Sequence, residues 1–87
     1  MRLIRHKNFR KHYDRCDAYI QNKADAAIRK FCNNPFDPSL QNHPLHGEMS
    51  GRRAISVTGD VRIIFEEYDD YVLVIMLDIG THNKVYG

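Results

Sequence analysis

The spacing of the apolar residues changes once along this 87-residue chain, and the change limits the folds that it can adopt. Between Phe9 and Phe31 apolar residues recur at spacings of three and four, which is the pattern of one helix face. From Arg52 to Asp78 they alternate with polar residues or run continuously, which is typical of strands. Helices followed by strands predict an α+β domain.

The helical part is expected to form a hairpin of two helices. Asp17 can accept a hydrogen bond from the backbone amide of Ile20, so we place a helix start there and a break at residues 15–17. The second helix should end at Asn33-Asn34-Pro35, because a residue before proline is pushed out of the helical region. A weak alternation over Met1–Arg5 indicates a short strand before the helices.

Three strands are expected in the second part of the chain, over residues 52–57, 61–67 and 71–78. The middle strand should turn Val61, Ile63 and Phe65 toward the helices and Arg62 toward the opposite face. The predicted architecture is therefore an N-terminal helical hairpin packed on one face of a small, mainly antiparallel sheet of three to four strands. The other face of the sheet is expected to stay partly open.

Residues 33–51 hold all three prolines and two of the glycines, which predicts a long ordered loop. Loops of this length without structure of their own are uncommon in compact domains and are often functional. His43 and His46 lie in this loop.

Composition predicts a single folded domain over residues 1–87, with 43% hydrophobic and 28% charged residues. The longest apolar run, Val72–Leu77, is too short to span a membrane, and the basic N-terminus lacks the apolar stretch of a secretory signal. We therefore expect a cytoplasmic protein. Cys16 and Cys32 have no CxxC partner, and we expect both to be reduced thiols.

The net charge of +2 is unevenly distributed. Residues 1–30 carry nine Lys or Arg against three Asp, whereas residues 31–87 carry four basic and eight acidic residues. Such a basic segment is compatible with a polyanion or an acidic partner protein, and equally with a solvated helix face.

Polar and aromatic side chains flank the last predicted hairpin. Asp60 and Arg62 stand at the start of one strand, and His82 and Tyr86 follow the end of the next. Antiparallel neighbours bring the start of one strand beside the end of the other, so Asp60 or Arg62 is expected to meet His82 in space. The pattern predicts a site at this end of the sheet.

Three segments resemble the RelE/ParE superfamily of type II toxins, and most closely its YafQ-like branch of messenger-RNA-cleaving enzymes. They are NPFDPSLQNHPLHG (34–47), SVTGDVRIIFEE (56–67) and DIGTHNKVYG (78–87). With the helical hairpin before them, the resemblance covers nearly the whole chain in the family's order. It implies a RelE/ParE-like fold and an endoribonuclease that acts on the ribosome without a metal or cofactor, partnered by an antitoxin protein.

The chemistry that the resemblance implies is attack of a ribose 2′-hydroxyl on the adjacent phosphate. Arg62 matches the arginine that holds the phosphate, and His82 matches the general acid. Tyr86 matches the aromatic residue that stacks on or orients a base, and His43 or Asp60 would be the general base.

The chain departs from the family's pattern at a few positions. Ser56 stands where YafQ-like enzymes often have a histidine, and it cannot do acid or base work at neutral pH. Glu48 and Ser50 replace residues in a segment that is commonly lysine-rich, and Val61 replaces a frequent aromatic.

Plainer roles are open for the same residues. Arg62 can instead pair with Glu66 or Asp78, His82 can cap a turn, and His43 can serve only to anchor its loop. The histidines at 43, 46 and 82 lack the helical spacing or the cysteine of a zinc site, so no metal is expected. Two other functions are also open: a non-catalytic ParE-like inhibitor of DNA gyrase, and a weakened toxin homologue that acts as a protein-binding module.

Overall fold

The computed structural model describes residues 1–86, which form three α-helices and five strands. In chain order they are β1 (Arg2–Arg5), α1 (Lys7–Arg15), α2 (Ala18–Asn33), β2 (His43–Pro44), β3 (Arg53–Ser56), β4 (Val61–Tyr68), β5 (Leu73–Thr81) and α3 (His82–Tyr86). Gly87, the last residue of the third resembling segment, lies outside the described residues. Within residues 1–86, none of the helices has the length and apolar character needed to cross a bilayer.

The predicted helical hairpin is confirmed, and its boundaries have local causes. The carboxylate of Asp17 accepts a hydrogen bond from the Ile20 amide at 2.9 Å and so begins α2. The helix ends at Asn33, two residues before Pro35. At the start of α1, Nδ1 of His6 accepts from the amide of Asn8 at 3.1 Å.

The sheet is larger than the sequence predicts. Its strand order is β1-β5-β4-β3-β2, so β5 lies between β1 and β4, as its continuous apolar run indicates. β1 pairs in parallel with β5, while the other neighbours are antiparallel. The expected count of three to four strands is therefore too low, because the two residues of β2 add a fifth strand from within the long loop. The same loop contains two short 3₁₀ turns, Pro38–Leu40 and Gly47–Met49.

The core lies between the helices and one face of the sheet. Its largest fully buried side chains include Phe9 of α1, Phe31 of α2 and Phe65 of β4. The rings of Phe31 and Phe65 meet edge to face, with centroids 4.9 Å apart. Val61 and Ile63 join them on the same face, as predicted.

The second face of the sheet is more covered than expected. Ala54 and Ile64 point to this face and are 0% and 1% exposed. Gly80 is the cross-strand partner of Arg62 and shares its face, and a Cβ on Gly80 would lie 3.2 Å from a methyl group of Val85. α3 therefore folds back over this face at the end of β5. The helix was not predicted, and it covers part of the surface that was expected to be open.

Candidate functional site

A shallow depression of about 380 Å³ lies where α3 faces the long loop. The residues that line it are His43, Pro44, Leu45, His46, Met49, His82 and Tyr86. Three of the five predicted site residues, His43, His82 and Tyr86, are thus brought together from segments about forty residues apart. We call this surface the histidine depression.

His43 is held in a defined orientation by the backbone before it. Its Nδ1 lies 2.8 Å from the carbonyl oxygen of Gln41, a residue that adopts a left-handed conformation with φ of 52°. Because a carbonyl oxygen can only accept, the proton of neutral His43 is on Nδ1, and Nε2 carries the lone pair. The bond orients the His43 ring within its own loop and leaves Nε2 available for proton transfer.

Arg62 lies on the face of the sheet that α3 partly covers, between two residues with small side chains. Its cross-strand partners are Ser56 on β3 and Gly80 on β5. Nη1 of Arg62 donates to the carbonyl oxygens of Thr58 at 2.8 Å and Gly59 at 3.2 Å. These bonds fix the guanidinium at the β3–β4 turn, and no ion pair with Glu66 or Asp78, the alternative left open by the sequence, holds it.

The two carboxylates of the alternative role for Arg62, Glu66 and Asp78, have other partners. Glu66 lies 3.6 Å from Nε of Arg52, and Asp78 lies 2.5 Å from Nδ1 of His12. Arg62 therefore has no carboxylate partner among residues 1–86. A half-buried guanidinium with unused N–H groups is a suitable ligand for an anion.

His82 and Asp60 meet through the backbone. The amide of His82 donates to the carbonyl oxygen of Asp60 at 3.0 Å, which ties the start of α3 to the β3–β4 turn. The predicted meeting of these two segments is confirmed. The carboxylate of Asp60 is exposed, however, and Asp60 does not line the histidine depression.

Tyr86 packs against His82 where both residues line the histidine depression. Its ring stands edge-on to the His82 ring, with centroids 4.3 Å apart and an interplanar angle of 81°. Burial raises the pKa of the Tyr86 hydroxyl, and the nearby Arg62 charge partly opposes this shift. The hydroxyl oxygen is buried without a hydrogen-bond partner among the described residues. A buried hydroxyl without a hydrogen-bond partner costs about 1–3 kcal/mol.

Four residues that line the depression, Pro44, Leu45, His46 and Met49, were not assigned a role from the sequence. His46 lines the depression together with His43, and Met49 adds an apolar side chain to it. The HPLH spacing would have identified His46 only if the two-residue strand β2 had been recognised. Among residues 1–86, no three His, Cys, Asp or Glu side chains are grouped closely enough to hold a metal ion.

Solved structures show the same fold. YafQ from Escherichia coli strain BL21(DE3) superposes with a TM-score of 0.78 at 23% identity, covering 100% of each chain. A YoeB/ParE toxin from Agrobacterium tumefaciens gives a TM-score of 0.79 at 22% identity, covering 94% of this chain and 99% of that one. The YafQ chain of the E. coli DinJ–YafQ complex gives 0.77 at 23% identity, with full coverage of both chains. A comparison with curated protein sequences found no match.

The family assignment rests on the sequence over its whole length. The family model described as "Bacterial toxin of type II toxin-antitoxin system, YafQ" matches residues 1–87. This match agrees with the fold and with the resemblance carried by the loop, the β3–β4 turn and the end of β5. The chain therefore belongs to the YafQ family of bacterial type II toxins.

Proposed function

We propose that this toxin is an endoribonuclease that cleaves messenger RNA on the ribosome. The observation that carries the proposal is the pairing of two histidines, His43 and His82, across one depression, with Arg62 and Tyr86 close by. Cleavage by an internal 2′-hydroxyl needs a proton acceptor, a proton donor and a cation over the phosphate. These side chains supply each of the three.

His43 is the proposed general base. Its Nδ1 proton is committed to the Gln41 carbonyl, so Nε2 is free to take the proton of the ribose 2′-hydroxyl. The 2′-oxygen then bonds to phosphorus while the bond from phosphorus to the 5′-oxygen breaks, which leaves a 2′,3′-cyclic phosphate. Asp60 was the other candidate base, but its carboxylate lies outside the depression, and we assign Asp60 to positioning His82.

His82 is the proposed general acid, since it lies across the depression from His43 and is exposed enough to meet a leaving group. As an imidazolium it would give its proton to the departing 5′-oxygen. Tyr86 packs edge to face against the His82 ring and so helps to fix the orientation of that ring. Burial raises the pKa of the Tyr86 hydroxyl further above neutral pH, so Tyr86 is not assigned as the general base.

Arg62 is the proposed phosphate ligand. Nη1 is occupied by backbone carbonyls, which leaves the N–H groups of Nη2 and Nε to bind phosphate oxygens and the charge that develops on them. The family's solved toxin–antitoxin complexes include DinJ–YafQ, so we also propose an antitoxin partner for this toxin.

The charge distribution supports binding to RNA. All nine Lys and Arg side chains of residues 1–30 are exposed. Exposed cations in this number favour a polyanion such as ribosomal or messenger RNA, with an affinity that falls as salt rises. We propose the cytoplasm, where ribosomes translate, as the place of action.

Induced expression in bacteria tests the proposal against its alternatives. Growth should stop, and messenger RNA should be cut within coding sequence. Arrest with intact message and a DNA-damage response would instead identify a gyrase inhibitor. Continued growth at every level of expression would identify a binding module without toxic activity.

A further inference from the structure

A second depression, of about 260 Å³, lies on the core side of the sheet beside α3. Its floor is aliphatic and its rim is basic, and the residues that define it are Ile20, Val61, Ile79, His12, Arg15 and Lys84. We call it the basic depression. None of the residues assigned to cleavage lines it.

The rim carries positive charge that the described part of the chain does not neutralise. His12 is bonded to Asp78 at 2.5 Å, and the nearby carboxylate of Asp17 caps α2. Arg15 and Lys84 form no ion pair with any carboxylate among residues 1–86. Burial raises the pKa of the Cys16 thiol in this depression, and the Lys84 charge opposes that shift, which places the Lys84 ammonium close to it.

Lys84 connects this surface to the candidate site. His82 and Tyr86 are four residues apart and share one side of α3, whereas Lys84, two residues from each, lies on the opposite side. The histidine depression and the basic depression therefore flank the same short helix. An occupant that binds Lys84 can reach α3 without entering the histidine depression.

The chemistry of the lining indicates the kind of occupant. The aliphatic side chains of Ile20, Val61 and Ile79 suit another aliphatic side chain. Single-stranded RNA prefers aromatic side chains on which its bases can stack, and no Phe, Tyr or Trp lines this depression within the described chain. Unpaired Arg15 and Lys84 at the rim are complementary to carboxylates.

We propose that the basic depression docks a segment of the antitoxin in which an aliphatic residue is flanked by Asp or Glu. The proposal rests on the antitoxin partner proposed above and not on the cleavage chemistry. A protein that fails to cut RNA can therefore still bind such a segment. The docking proposal and the cleavage proposal can be refuted independently.

A phage-displayed library of random 12-residue peptides, selected on the purified full chain, tests the proposal. The enriched peptides should carry Leu, Ile or Val flanked by acidic residues. Their affinity should fall at least tenfold for the double variant Arg15→Glu/Lys84→Glu. The matched control, Lys7→Glu/Arg29→Glu, changes the net charge equally at two exposed positions outside the depression and should bind as the wild type does.

A second measurement uses the wild-type protein alone. In an amide NMR spectrum of the wild type, a selected peptide should shift the signals of Ile20, Val61 and Ile79. The proposal is overturned if no acidic peptide is enriched, if the enriched peptides bind both double variants equally, or if the shifts lie elsewhere. A 12-nucleotide single-stranded RNA that shifts these signals when no peptide does would assign the depression to RNA instead.

Discussion

The hydroxyl of Ser56 donates a 2.8 Å hydrogen bond to Oε1 of Gln41, and the carbonyl of the same glutamine lies 2.8 Å from Nδ1 of His43. A serine on β3 is therefore linked through one residue to the proposed general base. Ser56 cannot transfer a proton itself at neutral pH. We therefore expect its contact with Gln41 to give it a positioning role.

Replacing Ser56 by Ala should slow RNA cleavage roughly two- to tenfold, because one hydrogen bond worth about 0.5–1.5 kcal/mol no longer holds Gln41. Ser56→Thr keeps a hydroxyl and should restore most of the rate. Single-turnover cleavage assays measure both. Ser50→Ala, an exposed serine in the long loop, is the control, and equal rates for Ser56→Ala and the wild type would refute the positioning role.

Gly80→Ala should reduce cleavage roughly tenfold and lower stability. The new Cβ would lie 3.2 Å from Val85 and 3.6 Å from Lys84, so α3 must move by a few tenths of an ångström. A small displacement of the helix that carries His82 misaligns the proton donor. Gly59→Ala is the matched control, since a Cβ there meets nothing within 4 Å. If the two variants cleave equally well, the placement of α3 is not critical.

Phe31→Ala should lower the free energy of unfolding by about 3–5 kcal/mol, because the ring is fully buried against Phe65 and leaves a cavity. This loss is a large part of the roughly 5–15 kcal/mol of a typical domain. Phe36→Ala removes the same side chain at a position 56% exposed and should cost about 1 kcal/mol or less. Urea denaturation of both variants measures the difference, and similar losses would contradict the assigned core.

The hydrogen bond from Tyr13 to Asp25, 2.7 Å long, should make stability depend on alkaline pH. The bond to the Asp25 carboxylate, together with burial, raises the pKa of Tyr13 above its usual value of 10.0. The stabilisation is therefore present below pH 10 and is lost as the pH rises through the folded-state value. Tyr13→Phe should cost about 1 kcal/mol at pH 7, and its difference from the wild type should shrink above pH 10. Urea denaturation at both pH values measures this, and a constant difference would contradict it.

Local signals in the sequence were sufficient to predict much of the fold. The cap at Asp17 and the proline at 35 fix the ends of α2, and alternation over β4 fixes which face Arg62 occupies. α3 was missed because a five-residue helix has no readable periodicity and forms by packing over Gly80. The place of β1 was missed because four residues that pair in parallel with a distant strand leave no local pattern.

The candidate site was predicted as a set of residues and not as an arrangement. The sequence predicted that Asp60 and His82 lie close together, and in the structure a backbone hydrogen bond joins them. It did not reveal that Arg62 is fixed by turn carbonyls or that His43 is oriented by Gln41, because both contacts depend on backbone conformation. Their roles in catalysis stay predictions.

The most direct test of ribonuclease activity is an in vitro translation reaction on a defined messenger RNA, with wild type, Arg62→Ala and His82→Ala. The wild type should cut the message and leave 2′,3′-cyclic phosphate ends. Each variant should cut at least about a hundredfold more slowly, because one loses the phosphate ligand and the other the proton donor. Asn22→Ala, which removes an exposed uncharged side chain outside the depression, should cut as the wild type does. An intact message with the wild type, or equal cleavage by all four proteins, would contradict the proposal.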